Sequence, residues 1–235
     1  MFFIFDIDGT LTATNEFDAH CSARAFERCF GVGLPTTDWH FYRTSTDSGI
    51  VSEALEIRRG SPATASDLDQ FESAFLEELE QASKRDPQAI HEIPGARALL
   101  GSLDRSSAHD YGIATGGMKS TSLYKLATAQ IDLKGKRASF ANDDFERAGI
   151  IRNVLKMANV PPADAIYVGD AAWDAAAAAE LGMRFIGMVH DSSREELATL
   201  GIRALLSDYS NPEKFFEAAR LSESPRLGTK RDSPP

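Results

Sequence analysis

The sequence predicts an α/β protein, a doubly wound parallel sheet with a helical unit inserted after its first strand. Three observations predict it. The run Phe2-Phe3-Ile4-Phe5 is apolar at every position, as a strand covered on both faces must be, and it ends abruptly in Asp6-Ile7-Asp8-Gly9-Thr10. From residue 95 onward short β-rich runs alternate with helical periodicity, the pattern of consecutive βαβ units. Between these regions, from Thr12 to about residue 86, the periodicity is helical and no strand signal interrupts it.

The elements follow in order. Residues 2–5 form the first strand. In 17–30, Phe17, Cys21, Ala25, Phe26 and Cys29 recur at helical spacing, and Gly31 and Gly33 stop the helix. Gly49 to Arg59 is a second helix. A third, Ser66 to Ser83, puts Leu68, Phe71, Phe75, Leu76 and Leu79 on one face and its glutamates elsewhere. The alternating part then reads as helix 96–103, strand 111–115, helix 119–128, strand 138–141 and helix 147–157. Strand 165–169, the alanine-rich helix 173–181, strand 184–188, helix 194–200, strand 204–206 and helix 212–219 complete it. Alanine is the best helix former, so the alanine run needs no explanation beyond close helix packing. The expected division is a Rossmann-like core of residues 1–14 and 88–220, a helical insertion of 15–87, and a mobile tail of 221–235.

A chain of 235 residues with 43% hydrophobic content buries one sizeable core and a smaller unit. Its formal net charge of -10 argues against a nucleic-acid surface, which needs a basic patch to replace phosphate counterions. A small anionic ligand is compatible with that charge, because a metal ion and a few local cations invert the field within one cleft. No stretch approaches the ~20 apolar residues that span a bilayer. The sequence starts on a core strand without the features of a signal peptide, and Cys21 and Cys29 lack metal-ligand spacing, so a soluble, cytoplasmic protein with reduced thiols is expected.

Three constellations carry chemistry. Asp6 and Asp8 stand one residue apart at the carboxyl end of a buried strand, where open α/β sheets bind ligands, and two carboxylates there call for a cation, a protonated form, or both. Asp-Gly after a strand is also an ordinary turn. Ile113-Ala114-Thr115-Gly116-Gly117 ends a strand with a hydroxyl and backbone N–H groups that can cradle an anion. Tyr167-Val168-Gly169-Asp170, with Asp174 four residues on, puts two carboxylates at a strand end and the first turn of a helix. There they can face one cation or cap the helix.

The string DIDGTLT resembles the first motif of the haloacid dehalogenase-like hydrolase superfamily, most of whose members are phosphohydrolases. Thr115 stands where the second motif's hydroxyl belongs, and GDxxxD at 169–174 resembles the metal-binding fourth motif. The third motif departs from the pattern: the usual lysine, often followed by proline, is missing. Arg147, 23 residues before Asp170, lies near the expected distance, with Lys119 and Lys125 as alternatives. The insertion occupies the position of the C1-type cap of the phosphoglycolate phosphatase-like branch.

The resemblance implies a phosphatase acting on a small phosphorylated metabolite. Asp6 is the expected nucleophile and Asp8 the acid and base. Thr115, Gly116 and Arg147 are expected to hold the phosphoryl group, and Mg2+ to sit on Asp6, the Asp8 carbonyl and Asp170, with Asp174 near. Asp8 disfavours a dehalogenase, since halide leaves without a proton. A phosphonatase would need a cap lysine, and Lys84, at the end of the insertion, is the only one there. A phosphomutase of the β-phosphoglucomutase type keeps both aspartates and is the enzymatic alternative; a non-catalytic binding module is the other. Substrate choice is expected from the insertion, where Arg43, His20 and Arg24 are candidates for a second anionic group and Ser45 replaces a glycine common in that branch.

Overall fold

The computed structural model describes residues 1–133, 135–190 and 193–226. Six parallel strands, β1 (Phe2–Phe5), β2 (Asp110–Ala114), β3 (Arg137–Ser139), β4 (Ala165–Gly169), β5 (Arg184–Met188) and β6 (Leu205–Leu206), lie in the order β3-β2-β1-β4-β5-β6. The chain builds outward from β1 on one side, then crosses back to start β4 on the other. The order therefore reverses between β1 and β4, and such a switch point opens a crevice at the carboxyl ends of the strands.

Nine helices occupy the described residues between and after the strands: α1 (Asn15–Phe30), α2 (Asp47–Arg59), α3 (Ala65–Arg85), α4 (Ala96–Asp104), α5 (Lys119–Thr128), α6 (Arg147–Ala158), α7 (Ala172–Glu180), α8 (Arg194–Thr199) and α9 (Pro212–Leu221). The alternation of side chains along β1 explains the layers. Phe3 and Phe5 face one apolar cluster with α4, α5 and α9, where Phe5 and Phe215 stack with ring centres 6.1 Å apart. Phe2 and Ile4 face the opposite cluster, built from α6, α7 and Leu197 of α8. Covered on both faces, β1 has no place for a polar side chain until it ends at Asp6.

Helices α1, α2 and α3 form a third cluster of their own around Phe26, Leu55, Phe71 and Phe75, joined to the sheet layers through Met118 and Ala141. Their ends follow local chemistry. Gly31 and Gly60 close α1 and α2 in the left-handed conformation (φ 68° and 77°), and Thr64 and Asp67 form a reciprocal capping box on α3. Arg24 and Arg28 of α1 both bond the buried Glu78 of α3, at 2.9 and 3.1 Å. Cys21 is a buried free thiol pushed up to about 11 by burial, and Cys29 is also unpaired with another cysteine.

The element boundaries agree with the sequence reading to within about two residues. Short 3-10 turns at Trp39–Phe41 and Pro162–Asp164 are additional. The first residues of the expected tail are a correction. Leu221 still belongs to α9, Ser222 is buried, and the Glu223 carbonyl accepts from the N–H of Phe185 on β5 at 3.1 Å. The donor that β5 offers there holds the chain against the sheet. Residues 227–235 lie outside the described residues. Among the described residues, no helix is long and apolar enough to cross a membrane.

Candidate active site

Parallel strands deliver all their carboxyl ends to one edge, and the sequence has loaded that edge. Asp6 follows β1, Thr115 follows β2 and Asp170 follows β4; Arg147 opens α6 and Asp174 stands in the first turn of α7. All five line or adjoin one cavity of about 300 Å3, large enough for a small ligand. The turn after β1 depends on Gly9. Its φ is +69°, and a Cβ there would collide with the Asp170 carboxylate and the Asn15 amide. Glycine thus lets the first loop close against the end of β4.

Asp6, Asp170 and Asp174 are buried, and one oxygen from each lies within 4.8 Å of the others. Their surroundings differ. Both oxygens of Asp174 are taken: Oδ2 accepts from the N–H groups of Asp170 (3.2 Å) and Ala171 (3.1 Å), and Oδ1 from the Tyr167 hydroxyl (3.0 Å) with Arg147 Nη1 also at 3.0 Å. Asp170 Oδ2 accepts from Asn15 Nδ2 at 2.8 Å. Asp6 Oδ1 is 3.3 Å from Arg147 Nη1 but not in hydrogen-bond geometry, so this buried oxygen has no donor among the described residues. Burial pushes Asp6 up to about 7, reinforced by Asp174 and Asp8 and opposed by Arg147 and the Thr115 hydroxyl. Burial also raises Asp170 well above the usual carboxylate range, with Asp174 and Asp6 adding to it. A divalent cation fits this donor set: hard carboxylate oxygens converge, one has no other partner, and a cation would relieve the repulsion that lifts both groups.

Arg147 is 9% exposed in its side chain and reaches across the cavity. Besides the two carboxylates, its Nη2 donates to the Ser45 carbonyl at 2.8 Å and Nη1 lies 3.4 Å from the Tyr167 hydroxyl. Of the three cations weighed for the third motif, Arg147 alone touches Asp6. Lys119 is exposed on the surface. Lys125 is fully buried but meets Asp8 Oδ2 at 2.6 Å and Asp18 Oδ1 at 2.5 Å.

Asp8 stands apart from the three-carboxylate cluster. Its Oδ1 accepts from the Thr14 hydroxyl at 2.5 Å and its Oδ2 from Lys125. Around that lysine lie two acids from the inserted helices. Burial lifts Asp18 to about 8 against the pull of Lys125, and lifts Asp47 to about 6 against Lys125 and the Met118 N–H, which Asp47 Oδ2 accepts at 2.9 Å. The Asp47 N–H donates to the Gly116 carbonyl at 2.8 Å, so the start of α2 is fastened to the Thr115 loop.

The residues expected to read a second anion are not in the cavity. Arg43 is exposed and pairs with Glu53 and Glu56 of α2, Arg24 is spent on Glu78, and His20 Nδ1 faces the Glu16 carbonyl on the surface. The far wall instead comprises Trp39, His40, Trp173 and Glu196. The His40 ring lies 5.0 Å from that of Trp173, and His40 Nε2 is 3.8 Å from Glu196, which joins the inserted segment to the sheet layers beside the cavity. Asn15, Tyr167 and Asp18 carry no motif signature, whereas Asp47 belongs to the loop in which Ser45 replaces the glycine common in the phosphoglycolate phosphatase-like branch, and both residues line the cavity. Lys125 did leave a trace: with Thr121, Ser122 and Leu126 it falls on the buried stripe of α5, an unusual place for an ammonium.

Comparison with known proteins agrees with this geometry. The family model described as haloacid dehalogenase-like hydrolase matches residues 3–188. Among the curated proteins, none matches the sequence. Similar solved structures include CbbY from Rhodobacter sphaeroides in complex with phosphate (21% identity, 89% of this chain and 95% of that one, TM-score 0.69). A candidate beta-phosphoglucomutase from Bacteroides vulgatus has 20% identity over 94% and 88% of the two chains, with a TM-score of 0.68. A candidate phosphoglycolate phosphatase from Lactobacillus plantarum has 19% identity over 92% and 97%, with a TM-score of 0.61. At such identities the structural likeness speaks for the fold, whereas the family model spans most of the sequence from β1 through β5. With the strand order and the acidic switch point in agreement, the chain belongs to the haloacid dehalogenase-like hydrolases.

Proposed function

We propose that this protein is a Mg2+-dependent phosphohydrolase that cleaves a small phosphomonoester through an aspartyl-phosphate on Asp6, with the helices of residues 15–87 as its cap. The observation that carries this reading is the buried Asp6 oxygen that has no donor among the described residues, set between a guanidinium and two further carboxylates. Asp6 attacks phosphorus, the ester P–O bond breaks, and Asp8 gives its proton to the departing alkoxide. Asp8 then takes a proton from the water that attacks the phosphoryl group, and the bond to Asp6 breaks to release phosphate. Arg147, Thr115 and the Gly116 N–H hold the phosphoryl oxygens as charge moves between them. Asp6 and Asp170 would hold the metal, whose charge offsets the repulsion between carboxylate and phosphoryl oxygens. Asp174, saturated by two N–H groups, Tyr167 and Arg147, would orient rather than ligate.

The alternative of a sugar phosphomutase needs room and charge for a second phosphate. Arg147 and His40 aside, the ionisable side chains lining the cavity among the described residues are acidic, and those outside the reacting cluster are Asp18, Asp47 and Glu196. That lining favours hydrolysis of an ester whose alcohol part carries no second anion. With Arg147 supplying the third motif's cation, a non-catalytic module also loses its motivation. The test is phosphate release from a panel including glycerol phosphate, hexose phosphates and phosphoglycolate, with and without Mg2+, and Asp6→Asn as the blank. Magnesium-dependent release, lost in the variant and reversibly stopped by EDTA, is expected. Silence across the panel would sink the reading.

A further inference from the structure

Among the described residues, Lys125 is the one fully buried cation that the proposed chemistry leaves unused. Removing an ammonium from water costs several kcal/mol even after relaxation, and a well-packed apolar side chain often serves stability equally well. Its position on α5 is therefore informative. The ammonium bridges Asp8 Oδ2 at 2.6 Å and Asp18 Oδ1 at 2.5 Å, joining the loop after β1 to the first turn of α1. On the other side of the same carboxylate, the Thr14 hydroxyl donates to Asp8 Oδ1, and Thr14 is itself held 2.8 Å from the Thr12 hydroxyl. Asp8 thus has a partner on each oxygen. Neither is shared with Asp6, Asp170 or Asp174, so the two halves of the site are wired separately.

We propose that Lys125 is a positioning residue for proton transfer: clamped by Asp18, it fixes the Asp8 carboxylate in the orientation from which it protonates the leaving oxygen. The inference rests on the phosphohydrolase reading above. It assigns a job to Asp18 as well, since an ammonium held by Asp8 alone could follow that side chain instead of anchoring it. A bidentate clamp by Thr14 and Lys125 leaves the second lone pair of each Asp8 oxygen for the proton that passes.

The test exploits the leaving group. An alkoxide needs the proton and 4-nitrophenolate does not, while everything that binds the phosphoryl group serves both. For each enzyme, kcat/KM is measured with glycerol 2-phosphate and with 4-nitrophenyl phosphate, and the two values are expressed as a ratio. That parameter covers the steps through phosphoryl transfer to Asp6, so the later hydrolysis, common to both substrates, does not enter it. The first variant is the pair Lys125→Met with Asp18→Asn, which removes both members of the buried contact together. The ratio is expected to move against the alkyl ester by roughly 100-fold, the lower end of what a positioned general acid contributes. Equal losses with both substrates, in a variant with an intact circular dichroism spectrum, would mean that the lysine is structural and would overturn the proposal. No loss with either substrate would overturn it too. If the pair does not fold, Lys125→Gln, which keeps a neutral donor beside Asp8, is judged by the same ratio. An unaltered protein that hydrolyses neither ester defeats the phosphohydrolase reading itself, a result distinct from an unmoved ratio.

Discussion

Replacing Arg147 separates its charge from its shape. The guanidinium lies 3.3 Å from Asp6 and 3.0 Å from Asp174, almost out of solvent, and donates to the Ser45 carbonyl at 2.8 Å. In Arg147→Ala two buried carboxylates lose the guanidinium that pairs with both, a change that costs about 3–5 kcal/mol when one partner of a buried pair is removed. For a chain of this length that corresponds to a fall in Tm of roughly 6–20 °C. Loss of a preorganised donor to the transferring group should lower kcat by about 100- to 1,000-fold. Arg147→Lys keeps the charge near Asp6 and Asp174, but one ammonium cannot also span to the Ser45 carbonyl. A loss of about tenfold is expected, because the geometry and not the charge is damaged. Lys119→Ala is the control: that side chain is exposed, and the change should stay within about 0.5 kcal/mol. Calorimetry of the metal-free proteins and phosphate release with Mg2+ supply the two readouts. Near-normal turnover in Arg147→Ala, or a larger loss in Lys119→Ala, would refute the assignment.

Three further outcomes are expected. Asp6, at about 7 in the folded protein against 3.8 unfolded, favours the folded state while protonated, so its contribution is full below about pH 4 and is lost as pH rises through 7, by about 4 kcal/mol. Asp170 shifts the same way, hence the Tm of the metal-free protein should fall over this range and Mg2+ should restore it mainly above pH 7. A Mg2+ stabilisation as large at pH 5 as at pH 8 would contradict this. Gly9→Ala forces a Cβ at φ +69° into Asp170 and Asn15 and should weaken Mg2+ binding by about tenfold or more, read as the Mg2+ concentration needed for a given rise in Tm; an unchanged requirement would count against Asp170 as a ligand. Phe75→Ala empties the centre of the third cluster and should cost about 3–5 kcal/mol. Hydrogen exchange should then rise in α1–α3 while β1 and β4 stay protected, and uniform loss of protection would argue against a separate cap.

What the sequence disclosed follows from the range of the interactions involved. β1 and β4 were legible because burial on both faces leaves only apolar residues up to Asp6 and Asp170, and the helices because capping and periodicity are local. Arg147 was within reach through spacing alone. Lys125 reads from the sequence only as a third-motif alternative, since its bond to Asp8 joins residues 117 apart and exists only once α5 is packed beside the first loop. The same limitation misdirected Arg24 and Arg43. Each looked free in the sequence, yet α1 against α3 gives Arg24 the buried Glu78, and α2 presents Glu53 and Glu56 to Arg43.

Four aspartates of the reacting cluster show how one residue type can be given separate surroundings. Asp174 has no oxygen to spare, because two backbone N–H groups, Tyr167 and Arg147 occupy both. Asp8 is clamped by a hydroxyl and an ammonium that touch neither Asp6 nor Asp170. Asp170 has one oxygen fixed by Asn15, which sets its direction. Asp6 alone of the four keeps a buried oxygen with no donor among the described residues. Burial that raises a carboxylate without satisfying it is costly, and a fold retains such a group readily only where a ligand completes it. The donors around each acid therefore separate the four aspartates more sharply than the residue type does, and they single out Asp6 as the one whose oxygen is left for a ligand.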